Sequence, residues 1–178
     1  MGNDKNLFFG ANTADGFVGF YNQIVDVYDL TKFYILKGGS GIGKSTFIRK
    51  FADAFKEYNR DFLICSGDPN SLDGVIIPAL KIGIIDGTSP HVVDPKYPGV
   101  ADEIVNLGEF IDFGKVTASK QVLKTLYQKK GAHYAKAFAH LSAARRVHHQ
   151  IESHYARAID FDKVNLKLAK IIMQHVDD

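Results

Sequence analysis

The chain has no tryptophan, one cysteine and five prolines in 178 residues, and each scarcity removes a class of explanation. A single cysteine, Cys65, cannot close an intrachain disulfide, so no disulfide framework is available and a reducing compartment is expected. Its neighbours Phe62, Leu63 and Ile64 mark Cys65 as a small buried core residue rather than a reactive thiol. No apolar run approaches the roughly 18 residues of a membrane span, and the opening residues do not read as a secretory signal. The expectation is a soluble, cytoplasmic protein with no membrane partner. The formal charge is only +2, without the basic excess of a phosphate-backbone binder, so nucleic acid is not an expected partner. With 46% apolar residues the chain is no candidate for disorder, and its length suits a sizeable core.

All the prolines lie between Pro69 and Pro98, and beyond Phe113 the only glycines are Gly114 and Gly131. The chain therefore divides into residues 1–113, rich in Gly, Pro, Asp and β-branched side chains, and residues 114–178, which read as helical. Gly131 is expected to separate a helix over about 118–129 from one over about 132–159. A third, over about 161–175, has Asp160 or Asp162 as its cap. The predicted fold class is α/β, a nucleotide-binding core with a small, mostly parallel sheet followed by a helical hairpin or bundle.

What the first half contains is more specific. Gly38, Gly39, Ser40, Gly41, Ile42, Gly43, Lys44 and Ser45 match G-x-x-x-x-G-K-[ST] at every defined position. Glycines let consecutive N–H groups turn inward around a polyphosphate, and the following helix adds its free N–H groups and positive dipole end. Lys44 would reach the β- and γ-phosphates, the Ser45 hydroxyl would join the coordination of Mg²⁺, and Thr46 could contact the α-phosphate. The flanks fit: Phe33, Tyr34, Ile35 and Leu36 read as a buried strand, and Phe47, Ile48, Phe51, Ala52 and Phe55 fall on one helical face. Glycines 39, 41 and 43 have the wrong spacing for a dinucleotide fingerprint. ATP with Mg²⁺ is the expected ligand.

A second strand is expected over Asp61–Ser66, ending at Gly67-Asp68-Pro69-Asn70. Residues 71–80 are ambiguous, because Val75, Ile76 and Ile77 favour extended structure and Pro78 ends it. Next, Ile82, Gly83, Ile84, Ile85 and Asp86 have the form of a Walker B strand, which delivers a carboxylate to Mg²⁺ beside the γ-phosphate. Asp86 is the leading metal-side acid, and Asp68 is the competing one. The loop from Gly87 to Gly99 holds three of the five prolines together with His91, Asp94 and Lys96. His91 could poise a water, carry a proton or sense the γ-phosphate, or be a loop histidine bonded to backbone. Few strands are visible after Asp86, so the sheet is expected to be small or completed by a partner.

Three runs carry a resemblance. Residues 67–78, 84–99 and 103–110, with the opening 7–17, resemble a family of bacterial P-loop ATPase-like proteins of Gram-positive anaerobes, over most of residues 7–113. Members look like tandem proteins with a second P-loop half after the helices; this chain, with one such loop, resembles the first half. The resemblance implies ATP binding and hydrolysis, and as partner a second P-loop half or a further copy of the chain.

At the N-terminus, Leu7, Phe8 and Phe9 are expected to add a strand beside the loop strand, with residues 17–27 as a short helix. Asn12, Thr13 and Phe17 then either approach the nucleotide base or belong to a surface loop with Phe17 in the core. In the tail, Arg145, Arg146, His148 and His149 form a basic patch that is either a solvated face or the source of an arginine clamp on phosphate; its histidine spacing argues against zinc. Three functional classes fit: an ATPase acting on phosphoanhydride bonds and moving its helices, with Lys44, Asp86 and His91 in catalytic roles; a small-molecule or nucleotide kinase; and a nucleotide-dependent interaction module with negligible turnover.

Overall fold

The run Phe33–Leu36 alternates between two apolar environments. Phe33 and Ile35 join one buried cluster, while Leu36, with Tyr34 packed beside it, joins the other. A strand buried on both faces belongs inside a sheet that is covered on both sides. The computed structural model, which describes residues 2–176, places it there. This strand is β4 (Lys32–Lys37), preceded in the chain by β1 (Asp4–Leu7), β2 (Gly10–Thr13) and β3 (Gly16–Gly19), and followed by β5 (Arg60–Ile64), β6 (Leu72–Ile77), β7 (Ile82–Asp86) and β8 (Asp102–Asn106). Six of them form one sheet in the order β1-β5-β6-β7-β4-β8. β4 runs parallel to β7 and β8, and β1 parallel to β5. β6 is antiparallel to both neighbours. The α/β class with a mostly parallel sheet is as expected, but the sheet is larger than expected and β8 closes its far side.

The ambiguous residues 71–80 resolve into β6, buried along its whole length, and a 3-10 turn over Pro78–Leu80. Gly74 lets the strands pack this closely: a Cβ there would stand 2.7 Å from the Ile84 carbonyl oxygen and 3.0 Å from Leu63 Cδ1. Gly74→Ala is expected to cost about 1–3 kcal/mol through overpacking, read as a lower urea midpoint at unchanged m-value.

One face of the sheet is covered by α2 (Lys44–Ala54), through Ile48 and Ala52, with Phe51 and Phe55 partly buried beside them. Phe47, expected on that face, is 42% exposed. The other face is covered by the β2–β3 hairpin, a 3-10 turn over Tyr21–Gln23, α1 (Ile24–Val27) and the loop after β7. Two N-terminal expectations are corrected here. β1 ends at Leu7 and pairs with β5 at the sheet edge, not with β4. Residues 17–27 are not one helix, because Gly16, at φ 104°, turns the chain back so that Gly16–Gly19 pairs with Gly10–Thr13.

After β8 come α3 (Phe113–Ala118), α4 (Lys120–Ala156) and α5 (Phe161–Val176). Gly131 does not break the helix as expected. A lone interior glycine costs about 1 kcal/mol relative to alanine, less than opening a helix and leaving two sets of unpaired end groups. Asp160 is the cap of α5, its Oδ1 accepting from the Lys163 N–H at 3.1 Å. Among the described residues the expected hairpin or bundle does not form. Neither α4 nor α5 has a buried residue, and the apolar stripe Val164, Leu168, Ile171 and Ile172 stays exposed. α4 instead lies against the core. Arg145 holds Asp15 through two guanidinium bonds of 2.5 and 2.8 Å, and the Tyr127 hydroxyl rests near Gly39. Among the described residues no helix is long and apolar enough to cross a membrane.

Candidate functional site

β4 ends at Lys37, α2 begins at Lys44, and the six residues between them form the loop. Gly41 and Gly43 have φ of 84° and 93°, a region that L side chains enter only with strain. Glycine at these two positions is what lets the backbone curl. Ser40, Gly41, Gly43, Lys44, Ser45 and Thr46 line one side of a cavity of about 410 Å³, and Ser71, Asp86, Thr88 and Ser89 line the other. Gly38, Gly39 and Ile42 support the loop without lining it. The Gly38 and Gly39 carbonyls accept from Lys44 Nζ at 3.0 and 2.8 Å, and the Ile42 side chain folds back over Gly38.

Two charges face each other across the cavity. Lys44 Nζ, on a side chain only 8% exposed, is 3.5 Å from Asp86 Oδ2. The other Asp86 oxygen accepts from the Thr88 N–H at 2.9 Å and the Thr88 hydroxyl at 2.5 Å, which fixes the carboxylate plane. Asp86 reaches this point because β7 pairs directly with β4, with Leu36 opposite Asp86 in register. The Ser45 hydroxyl looks across to Ser71 at 3.5 Å. Ser45 and Asp86 thus bring a hydroxyl and a carboxylate oxygen to one cavity. These are hard donors of the kind Mg²⁺ takes while keeping several of its waters, so the residues fit the ion. Among the described residues no cluster of three or more His, Cys, Asp or Glu side chains is placed to hold a metal.

The loop after Asp86 is tied down from the strand side. Lys37 Nζ donates to the carbonyls of Gly87 at 3.0 Å and Val93 at 2.6 Å and pairs with Asp94 at 3.2 Å. Lys96 pairs with Asp26 and gives its N–H to Asp102. Asp94 and Lys96 therefore serve the loop's own structure.

His91, read either as a group at the γ-phosphate or as a loop histidine bonded to backbone, stands away from the cavity. It is 7% exposed and does not line the cavity. Its Nε2 lies 3.1 Å from Asp73 Oδ1, and the Tyr21 hydroxyl donates to Asp73 Oδ2 at 2.8 Å. Burial pulls the imidazole pKa down, but the bond to Asp73 and the charges of Asp73 and Asp86 outweigh it and hold His91 above its ordinary value. The same site pushes the Tyr21 hydroxyl far up, by burial first and by Asp73 second. Burial also raises the thiol of Cys65, which is half-buried rather than fully enclosed.

Asp68, the competing acid, sits in an exposed turn where its carboxylate accepts from the Asn70 N–H at 3.1 Å, and it does not line the cavity. Asn12 donates to the Ser66 carbonyl at 3.2 Å, and Phe17 packs against Tyr21 and His91. Arg145 is committed to Asp15 and Arg146 to the Ser142 hydroxyl at 3.1 Å, so neither reaches the cavity. The cavity wall contributed by Ser71, Thr88 and Ser89 was not visible as a motif. Its only sequence signal is closeness to the ends of β6 and β7. Asp73 gave none, standing as one acid in a stretch of mixed propensity.

Compared with protein-family models, with curated proteins and with solved structures, the chain gives no significant match. The family resemblance therefore rests on the runs of sequence quoted for it.

Proposed function

We propose that the chain binds ATP with Mg²⁺ in the loop Gly38–Thr46 and hydrolyses its terminal phosphoanhydride, with loop occupancy transmitted to α4. The observation that carries this reading is the placement of Lys44 inside a left-handed glycine turn, 3.5 Å from the carboxylate that ends the adjacent parallel strand. Two loop carbonyls hold the lysine charge, and a phosphate would add a charge-assisted bond to it. The loop N–H groups and the start of α2 orient the phosphate chain. Lys44 stabilises charge as it gathers on the transferring group. Ser45 and Asp86 would hold the magnesium ion, which supplies neutralisation of the β- and γ-oxygens when bound. Tyr127 carries the loop's state to α4, because its hydroxyl lies 3.4 Å from where a Gly39 Cβ would stand.

Calorimetric titration of the full chain with a non-hydrolysable ATP analogue, with and without Mg²⁺, tests this. Micromolar binding that strengthens at least tenfold with Mg²⁺ is expected, and Asp86→Asn should remove most of the Mg²⁺ gain. No binding to folded protein refutes the reading.

A further inference from the structure

Tyr127, Gly131, Tyr134 and Phe138 stand at i, i+4, i+7 and i+11 on α4 and share one helix face. That face, with Phe17 and the Ser89–Pro90 turn opposite, encloses a cleft of about 360 Å³. Ser89 also lines the cavity beside Asp86, so the two spaces are neighbours across this residue.

Gly131 forms the floor. A Cβ at this position would meet nothing within 4 Å, so packing in the chain does not call for glycine, although the helix would be better served by almost any other residue. Tyr127 and Tyr134, on either side, are seven residues or about 10 Å apart along the helix axis. Stacked rings stand about 4.5–7 Å apart between centroids, and an axial spacing of about 10 Å is what one flat ring held between two others would need. Both tyrosines line the cleft and are exposed, at 50% and 36%, and Tyr134 also packs against Phe138. Lys130, which also lines the cleft, places its ammonium over the Tyr127 ring, 5.4 Å from the centroid. An aromatic slot with a cation at its mouth suits a planar heterocycle carrying an anionic arm.

That ring does not belong to the nucleotide in the loop. On the nucleotide reading of the loop, Ser45 and Asp86 meet the terminal phosphates and Thr46 the α-phosphate, and the slot is assigned to a separate ligand. We infer that the slot is a second ligand site, for a nucleoside monophosphate whose base stacks between Tyr127 and Tyr134 and whose phosphate meets Lys130, facing the terminal phosphate of the first nucleotide. The orientation of the two ligands rests on the nucleotide reading of the loop.

The test is calorimetry on the full chain with AMP, GMP, CMP and UMP and the corresponding nucleosides, each with and without a saturating non-hydrolysable ATP analogue and Mg²⁺. At least one monophosphate is expected to bind in both conditions. Gly131→Leu, which fills the slot while favouring helix, and Tyr134→Ala should each weaken it tenfold or more, with the far-UV circular dichroism retained. Lys130→Ala should weaken the monophosphate and leave the nucleoside unchanged. The inference is overturned if no monophosphate binds, if the analogue displaces it, or if Gly131→Leu keeps full affinity. Failure of the analogue to bind would refute the loop reading alone, since the comparison with Gly131→Leu still decides the slot.

Discussion

Asp73→Ala is expected to destabilise the fold by about 3–5 kcal/mol, the usual cost of removing one partner from a buried charged pair. Its carboxylate receives both the Tyr21 hydroxyl and His91 Nε2, and both are buried, Tyr21 at 3% exposed and His91 at 7%. Asp73→Asn, which keeps the volume, should fall at the lower end. The pH dependence identifies the pair. Because His91 is held above its ordinary value in the folded state, its protonated form favours folding. That contribution is fully present below the unfolded pKa near 6.5 and is lost as pH rises through the folded value. Urea unfolding at acid and alkaline pH should therefore show the gap between wild type and Asp73→Asn narrowing as pH rises through the neutral range. A gap that stays constant would mean that His91 carries no charge in the folded protein.

Lys44→Ala is expected to lower affinity for Mg·ATP by about ten- to a hundredfold or more, since a hydrogen bond to a charged group is worth about 1.5–3 kcal/mol and this side chain can engage two phosphates. Stability should fall as well, because the substitution takes the cation from the Asp86 carboxylate 3.5 Å away and the donor from the Gly38 and Gly39 carbonyls. Lys44→Arg should not restore binding. A planar guanidinium cannot take the place of a compact ammonium on a side chain this enclosed. Titration of both variants, with thermal melts to verify folding, separates a binding defect from a folding defect. Undiminished affinity in a folded Lys44→Ala would place the nucleotide elsewhere.

The site was legible where chemistry depends on neighbours in the chain. The loop from Gly38 to Ser45, its strand and its helix could be read because glycine, lysine and serine at fixed spacing act together over eight residues. Asp86 could be read because an apolar run ending in an acid is a local pattern. What escaped depends on distant partners. β6 was ambiguous until β5 and β7 enclosed it, since short apolar runs fit strand and helix alike. His91 read as a group at the γ-phosphate or as a loop histidine bonded to backbone, and only the fold brings Asp73 and Tyr21 to it. The helical tail shows the opposite error. Gly131 was weighed as a local breaker, whereas a long helix tolerates one glycine, and the apolar spacing of α5 suggested a packing partner that the described residues do not supply.

The antiparallel position of β6 bears on how the chain assembles. β5, β6 and β7 follow one another in sequence and pair as neighbours, so closing their loops is entropically cheap. β4 must instead enter between β7 and a β8 that lies some 65 residues further along the chain. A meander formed early would carry Ser71 and Asp86, while the glycine loop arrives later with β4. The cavity between the glycine loop and Asp86 is then the seam between an early-folding and a late-folding part. A ligand bridging that seam would hold the two together, slowing unfolding in proportion to its occupancy.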